Sequence, residues 1–249
     1  MNSPKSPNLK TMMLSLGDNQ VVTATFLLKQ GYSYENLKGY VKSGYMDSLG
    51  RGAYCRAGSH PSIEAAISAM AEQMAVPVHL GGRSALAKRG YVHFVPFTEL
   101  PATVFMKRGV RLPAWFSRYY NGRFSLVKTG FLHDGLGVEQ MDGCPVSSPE
   151  RAFLEFLYGV PGKQSLAEAY QLLEMMLTLR PKLLNDLLVR CSSIKVKRLF
   201  FLLADDLNPP WWQEIKSDSI DLGSGCRVID KGGSFNAKYN LVVKPWREI

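Results

Sequence analysis

The stretch from Thr23 to Arg56 constrains this chain more than any other. Thr23 suits a helix N-cap, and Ala24 to Gln30 carries Leu27 and Leu28 on one side. Gly31 falls where a helix end favours a left-handed residue. Ser33 caps a second helix, about Tyr34 to Ser43, which Gly44 ends. Two helices joined by Gly31-Tyr32-Ser33 have helix-turn-helix spacing. Met46 to Leu49 and Ala53 to Arg56 are strand-like runs around Gly50-Arg51-Gly52, a hairpin with an arginine at its tip. A hairpin directly after such a helix is a wing. Upstream, Pro7 to Leu16 sets Leu9, Met12, Met13 and Leu16 on one helical face, completing a three-helix core. The reading is an N-terminal winged helix-turn-helix domain over residues 1–58, followed by a larger α+β domain over residues 59–249.

The outward face of that module suits DNA. In the second helix of the pair Leu37 and Val41 point inward, so Glu35, Asn36, Lys38 and Lys42 point out. A helix fits the major groove and its N-terminal residues reach base edges. Asn36 suits adenine, and Ser33 and Tyr34 lie where helix amides favour phosphate. Lys38, Lys42 and Arg56 suit phosphates, and Arg51 suits a minor groove. The whole chain, at net charge +9 and a sequence pI near 9.4, favours a polyanionic partner.

Downstream, Ser62 opens a helix from Ile63 to Met74, then a strand from Val76 to Leu80 and a helix from Ser84 to Arg89. Gly81-Gly82-Arg83-Ser84 reads as a tight turn, with a phosphate cradle as the weaker alternative. Tyr91 to Pro96, Thr103 to Lys107 and Phe124 to Phe131 read as strands. Between them runs a basic stretch: Arg83, Lys88, Arg89, Lys107, Arg108, Arg111, Arg118, Arg123 and Lys128, against Glu99 alone. Aromatics interleave with it, so it suits nucleic acid, an acidic protein partner or a solvated sheet face.

Ser148-Pro149-Glu150 is a strong helix start, to about Tyr158. A capping box at Ser165 opens a helix through Leu179 with Leu177 inward. Helices from Pro181 and over Ile194–Ala204 come next, the latter setting Lys195, Lys197 and Arg198 against an apolar face. Trp211-Trp212 is expected to pack this bundle on the sheet. The tail, with strands over Ser219–Leu222, Cys226–Asp230 and Tyr239–Lys244, reads as an antiparallel meander.

Several classes find no support. Cys55, Cys144, Cys191 and Cys226 form no CxxC pair, and the four histidines have no metal-ligand spacing. No nucleophile elbow, phosphate loop or dinucleotide fingerprint occurs, so neither enzyme nor cofactor is expected. No apolar run reaches membrane-spanning length and no signal peptide opens the chain, so a cytoplasmic protein is expected.

Three stretches carry a resemblance: LKGYVKSGYMDSLGRGAY (Leu37–Tyr54), VHLGGRSALAKRGYVHF (Val78–Phe94) and CPVSSPERAFLEFLYGVP (Cys144–Pro161), with LGSGCRVIDKGG and YNLVV nearer the end. Together they resemble the AbiEi antitoxins of bacterial abortive-infection toxin–antitoxin systems. The resemblance implies an autorepressor that binds repeats in its own promoter through the winged domain. It also implies that the C-terminal domain counters a neighbouring nucleotidyltransferase-like toxin without requiring a tight complex. Ser33, Asn36, Lys38, Lys42, Arg51 and Arg56 match the DNA-binding pattern. The blocks at Gly81–Leu86 and Ser148–Glu155 match without an assigned chemistry. The rival readings are a winged-helix regulator whose larger domain senses a ligand or partner, and a nucleic-acid enzyme using the basic stretch. The sequence leaves the oligomeric state open.

Overall fold

The computed structural model describes residues 9–92 and 100–247. The chain opens with α1 (Leu9–Ser15), β1 (Val22–Thr23), α2 (Ala24–Lys29), α3 (Tyr34–Lys42) and a hairpin of β2 (Met46–Gly50) and β3 (Ala53–Arg56). Then come α4 (Ile63–Met74), β4 (Val78–Leu80), α5 (Gly82–Lys88), β5 (Ala102–Met106), α6 (Ala114–Tyr119) and β6 (Phe124–Lys128). A second hairpin, β7 (Val138–Met141) and β8 (Cys144–Ser147), leads into α7 (Pro149–Tyr158), α8 (Leu166–Met175), α9 (Pro181–Arg190) and α10 (Ile194–Leu207). Two single 3-10 turns precede β9 (Arg227–Val228), β10 (Ser234–Asn236) and β11 (Leu241–Val243). The architecture is α+β, as expected. The strand expected over Tyr91–Pro96 lies largely outside the described residues, as do Glu99 and the Pro7 start of the first helix.

The chain forms two compact units. The first gathers Met1–Leu80, Val104–Val127 and Gln140–Pro145. Its α1, α2 and α3 close on Met12, Leu16, Val22, Ala24, Leu27, Tyr32, Leu37 and Met46, with Leu9, Tyr40, Val41 and Tyr54 packed at the margin. The helical spacing at Leu9, Met12 and Leu16, and at Leu37 and Val41, has this core as its cause. A three-stranded sheet of order β1-β3-β2 backs the helices, with Met46 paired to Arg56 and Val22 to Tyr54. Gln73 of α4 clasps β1, accepting from the Thr23 amide at 2.7 Å and donating to the Val21 carbonyl at 3.0 Å. All five strands of a further sheet, order β6-β5-β4-β8-β7, place residues in this unit.

The second unit comprises Gly81–Thr103, Lys128–Glu139 and Val146–Ile249. Its centre is α7, of which every residue from Glu150 to Leu157 is buried, packed against α5, α8, α9 and α10. A helix this fully covered has no polar face to give to water. Ser148, Ser165 and Ser193 cap α7, α8 and α10 by accepting from the Arg151, Glu168 and Val196 amides. α8 stops at Met175, four residues earlier than expected, and Leu177 beyond it is 56% exposed rather than inward. Trp211 donates its indole N–H to the Met176 carbonyl at 2.7 Å and stacks on Phe200, so it seals the helical layer itself rather than packing on a sheet.

The C-terminal sheet differs from the expected meander. Its order is β10-β11-β9, and β11 runs parallel to β9. β10 falls between the two anticipated strands, and Ser219–Leu222 forms no strand. The reason is Arg198 of α10, only 1% exposed. Its guanidinium donates to the carbonyls of Leu222, Gly223, Gly225 and Asn240 at 2.7–3.1 Å. Those carbonyls are turned toward the arginine, so the Leu222–Gly225 segment wraps around it. Among the described residues no helix is long and apolar enough to cross a membrane.

Candidate nucleic-acid interface

The exposed side of α3 is built from its cap outward. Ser33 Oγ accepts from the Asn36 amide at 3.2 Å, and Asn36 Oδ1 accepts from the Ser33 amide at 2.9 Å. This reciprocal capping box fixes the start of α3. It engages one of the two lone pairs of the Asn36 carboxamide oxygen and so fixes how that amide is oriented on the helix. Tyr34, one residue into the helix, stands 55% exposed. Lys38 and Lys42 are exposed on the same helix. Glu35 is exposed beside them, and hydrogen bonds from its own backbone amide and from Ser33 hold its carboxyl below the usual range. That charge opposes a phosphate, so α3 presents a mixed face.

The β2–β3 hairpin brings Arg51 to its tip, exposed. Arg56, at the far end of β3, meets Asp18 at 2.8 Å in an ion pair exposed on both sides. A pair so exposed contributes little and a phosphate can replace it. Cys55 is buried beneath the hairpin, and burial pushes its thiol up to about 11.

The basic stretch divides between the two units. Lys107, Arg108, Arg111, Arg118 and Arg123 belong to the first and are all exposed. Arg108, Arg111 and Arg118 form no ion pair among the described residues. Arg123 lies over the Tyr120 ring at 5.3 Å. The first unit carries twelve Lys or Arg against six Asp or Glu, twice as many cations as anions. The second carries eighteen against fifteen. Excess positive charge is thus concentrated in the unit that holds α3 and the β2–β3 hairpin.

Arg83, Lys88, Arg89 and Lys128 belong to the second unit. Lys128 is exposed and Lys88 half-buried. Arg83 pairs with Glu168 at 2.6 Å and covers the Phe156 ring. Arg89 donates to the Ser147 carbonyl and to Glu139, both at 2.8 Å. These two arginines hold the unit's own acceptors, so they do not form the open basic surface that their spacing suggests. α6, which carries Trp115, Phe116 and Arg118, was not anticipated from sequence. Its signal is present in Trp115/Tyr119 and Phe116/Tyr120, two pairs four residues apart.

The Ser148–Glu155 block acquires a physical account. Glu155, fully buried, accepts from Arg151 Nε at 2.8 Å, Ser147 Oγ at 2.8 Å and the Gly82 amide at 2.9 Å. Arg151 also donates to the His133 and Leu136 carbonyls. The Gly81-Gly82 amide that could have cradled a phosphate therefore already holds a carboxylate of the chain. Nearby, Arg180 holds Glu150 and Glu139. Burial pushes Glu150 up, but hydrogen bonds from the Arg180 side chain and backbone outweigh it and hold the carboxyl below its usual range. Every polar group of this block is turned to a partner inside the unit, which is the arrangement of a structural centre. Among the described residues no cluster of His, Cys, Asp or Glu could hold a metal ion.

Two family models span this chain. Residues 101–244 match the family described as transcriptional regulator, AbiEi antitoxin, type IV toxin–antitoxin system. Residues 5–97 match the transcriptional regulator, AbiEi antitoxin N-terminal domain. The chain belongs to the AbiEi antitoxin family of transcriptional regulators, as the resemblance in its three sequence blocks indicated. The crystal structure of the RV2827C protein from Mycobacterium tuberculosis shares the fold, with a TM-score of 0.61 at 15% identity over 89% of this chain and 85% of that one. No curated protein matches the chain.

Proposed function

We propose that this antitoxin represses its own operon by binding repeats in the upstream DNA, with α3 in the major groove and the β2–β3 wing alongside. The observation that carries the proposal is the first unit's surface: an exposed α3 face bearing Tyr34, Lys38 and Lys42, a wing tip bearing Arg51, and Arg108, Arg111 and Arg118 exposed in the same unit. The element order helix, strand, helix, helix, hairpin supports the winged-helix reading. In this scheme Ser33 and Tyr34 approach a phosphate at the helix start, Lys38 and Lys42 neutralise neighbouring phosphates, and Arg51 enters the minor groove. Arg56 joins them by exchanging Asp18 for a phosphate. The exposed arginines from residue 108 onward widen the footprint beyond the 1–58 module.

The test is a titration of the intact protein with labelled duplex from its own upstream region and with random duplex of equal length. At about 150 mM salt, where non-specific contacts weaken, the upstream duplex is expected to bind more tightly. Equal binding of both duplexes overturns the autorepressor reading.

We further propose that residues 59–249 carry the antitoxin role against a neighbouring nucleotidyltransferase-like toxin, without a tight complex. Intact protein bearing Lys38→Ala and Arg51→Ala, produced from an inducible promoter, should still relieve growth arrest by that toxin. Arrest that persists despite soluble antitoxin overturns this division of labour.

A further inference from the structure

We infer that α6 is a brace that sets the aim of the wing, and that Trp115 is its positioning residue. The inference rests on the DNA-binding reading above and adds a residue far from the 1–58 module to it. α6 packs against β2 within the first unit. The contact falls where the wing bends. The β2–β3 register shifts between Ser48 and Gly50, and Ser48 Oγ spans the irregularity, accepting from the Gly50 amide at 3.3 Å and donating to the Gly50 carbonyl at 3.2 Å. A bulge of this kind bends a strand and re-aims the residues beyond it. The residue immediately beyond this one is Arg51.

Gly50 sits at φ +133, and a Cβ built on it would lie 2.9 Å from Trp115 Cβ and 3.2 Å from Trp115 Cα. The bent backbone thus rests on the first turn of α6 with no room for a side chain. Trp115 is 3% exposed, and its indole N–H has no hydrogen-bond partner among the described residues. An unmet buried donor is a cost, so the indole contributes here through shape and not through a hydrogen bond.

The far end of α6 is fastened as well. The Tyr120 hydroxyl lies 3.0 Å from the Pro61 carbonyl and 3.1 Å from that of Ser62, where the chain leaving the hairpin enters α4. Between the two anchors Phe116 is fully buried, in contact with the rings of Tyr120 and Phe124. The wing is therefore gripped at its bend by Trp115 and at its exit by Tyr120. It cannot pivot on its glycines without displacing a packed aromatic helix, so Arg51 arrives at DNA already aimed. Pre-set aim of this kind lowers the ordering cost of binding.

A double-mutant cycle on the full chain tests this, read by fluorescence anisotropy with the upstream and random duplexes. Arg51→Ala should lose about tenfold in affinity for the upstream duplex, the scale of one arginine contact. Trp115→Phe and Gly50→Ala should each lose several-fold in preference for upstream over random duplex while thermal unfolding remains a single cooperative transition. Trp115→Phe should then add nothing in the Arg51→Ala background, because its effect passes through that arginine. Gly50→Ala keeps every aromatic side chain but pushes the bend off Trp115, and so provides the same readout should Trp115→Phe fold poorly. Additive losses, or an unchanged preference in both variants, overturn the brace while leaving the DNA-binding reading intact. A wild-type protein with no preference for upstream DNA removes both, and that outcome is visible before any variant is made.

Discussion

In the first unit Arg51, Arg108, Arg111 and Arg118 stand exposed without an ion pair among the described residues. In the second, Arg83, Arg89, Arg151, Arg180 and Arg198 each hold a carboxylate or a set of carbonyls of their own unit. The same side chain thus serves two ends, and sequence density does not distinguish them. A guanidinium donates five hydrogen bonds in a planar fork. Where chain carbonyls and carboxylates fill the fork, it organises a fold. Where they do not, its charge remains available to a polyanion. The nine cations of the Arg83–Lys128 stretch look like one surface in the sequence, yet in the structure Arg83 and Arg89 organise the fold while Arg108, Arg111 and Arg118 stand open.

The strongest way to break this contrast is to attack a cation that should be structural. Glu155→Ala leaves Arg151 buried without its carboxylate and the Gly82 amide without its acceptor. Breaking such a buried pair is expected to cost about 3–5 kcal/mol in a chemical denaturation experiment. A loss below about 1 kcal/mol would mean the Ser148–Glu155 block is not the centre of its unit. Next in size is the converse test. Lys38→Ala with Arg51→Ala should weaken binding to upstream DNA by about 1–3 kcal/mol while changing folding stability by less than about 0.5 kcal/mol.

A smaller effect depends on pH. Glu150 has its carboxyl held below the usual range, so its contribution to stability is full above about pH 4.5 and is lost as pH falls through the lowered value. Glu150→Gln should therefore be less stable than wild type at pH 7, by about 1 kcal/mol given the exposure of Arg180. Thermal melts should show the gap holding down to pH 5 and closing in stronger acid. A gap that widens in acid would reverse the assignment. The smallest expected effect is at Glu35, the acid on the α3 face. Glu35→Gln should tighten DNA binding about twofold at low salt, and the gain should vanish as salt rises. No change at low salt would place α3 away from the phosphates.

Local signals were legible in the sequence. The helix starts at Ser33, Ser62, Ser148 and Ser165 stand where their spacing placed them, because an N-cap needs only an amide three residues away. The hairpin with Arg51 at its tip was readable from two glycines. The features that escaped were decided by partners distant in sequence. Lys195, Lys197 and Arg198 read as the wet side of an amphipathic helix, yet Lys197 is 4% exposed and Arg198 bonds carbonyls 24 to 42 residues away. Lys195 donates to the Tyr158 and Val160 carbonyls, and its burial lowers its pKa. The parallel pairing of β9 with β11 and the grip of α6 on the wing likewise depend on tertiary contacts, which override local propensity. Within the candidate interface, residue positions were readable but hydrogen-bond engagement was not. Nothing in the sequence marks Asn36 as the partner of its own cap or Arg56 as the partner of Asp18.

The most direct measurement of the central claim is the salt dependence of binding to upstream duplex, for wild type, Arg118→Ala from the first unit and Arg83→Gln from the second. If the first unit alone meets the phosphates, Arg118→Ala lowers the slope of log affinity against log salt by about one. Arg83→Gln then leaves the slope unchanged. A slope that falls with Arg83→Gln and holds with Arg118→Ala would contradict the division of cations between the two units.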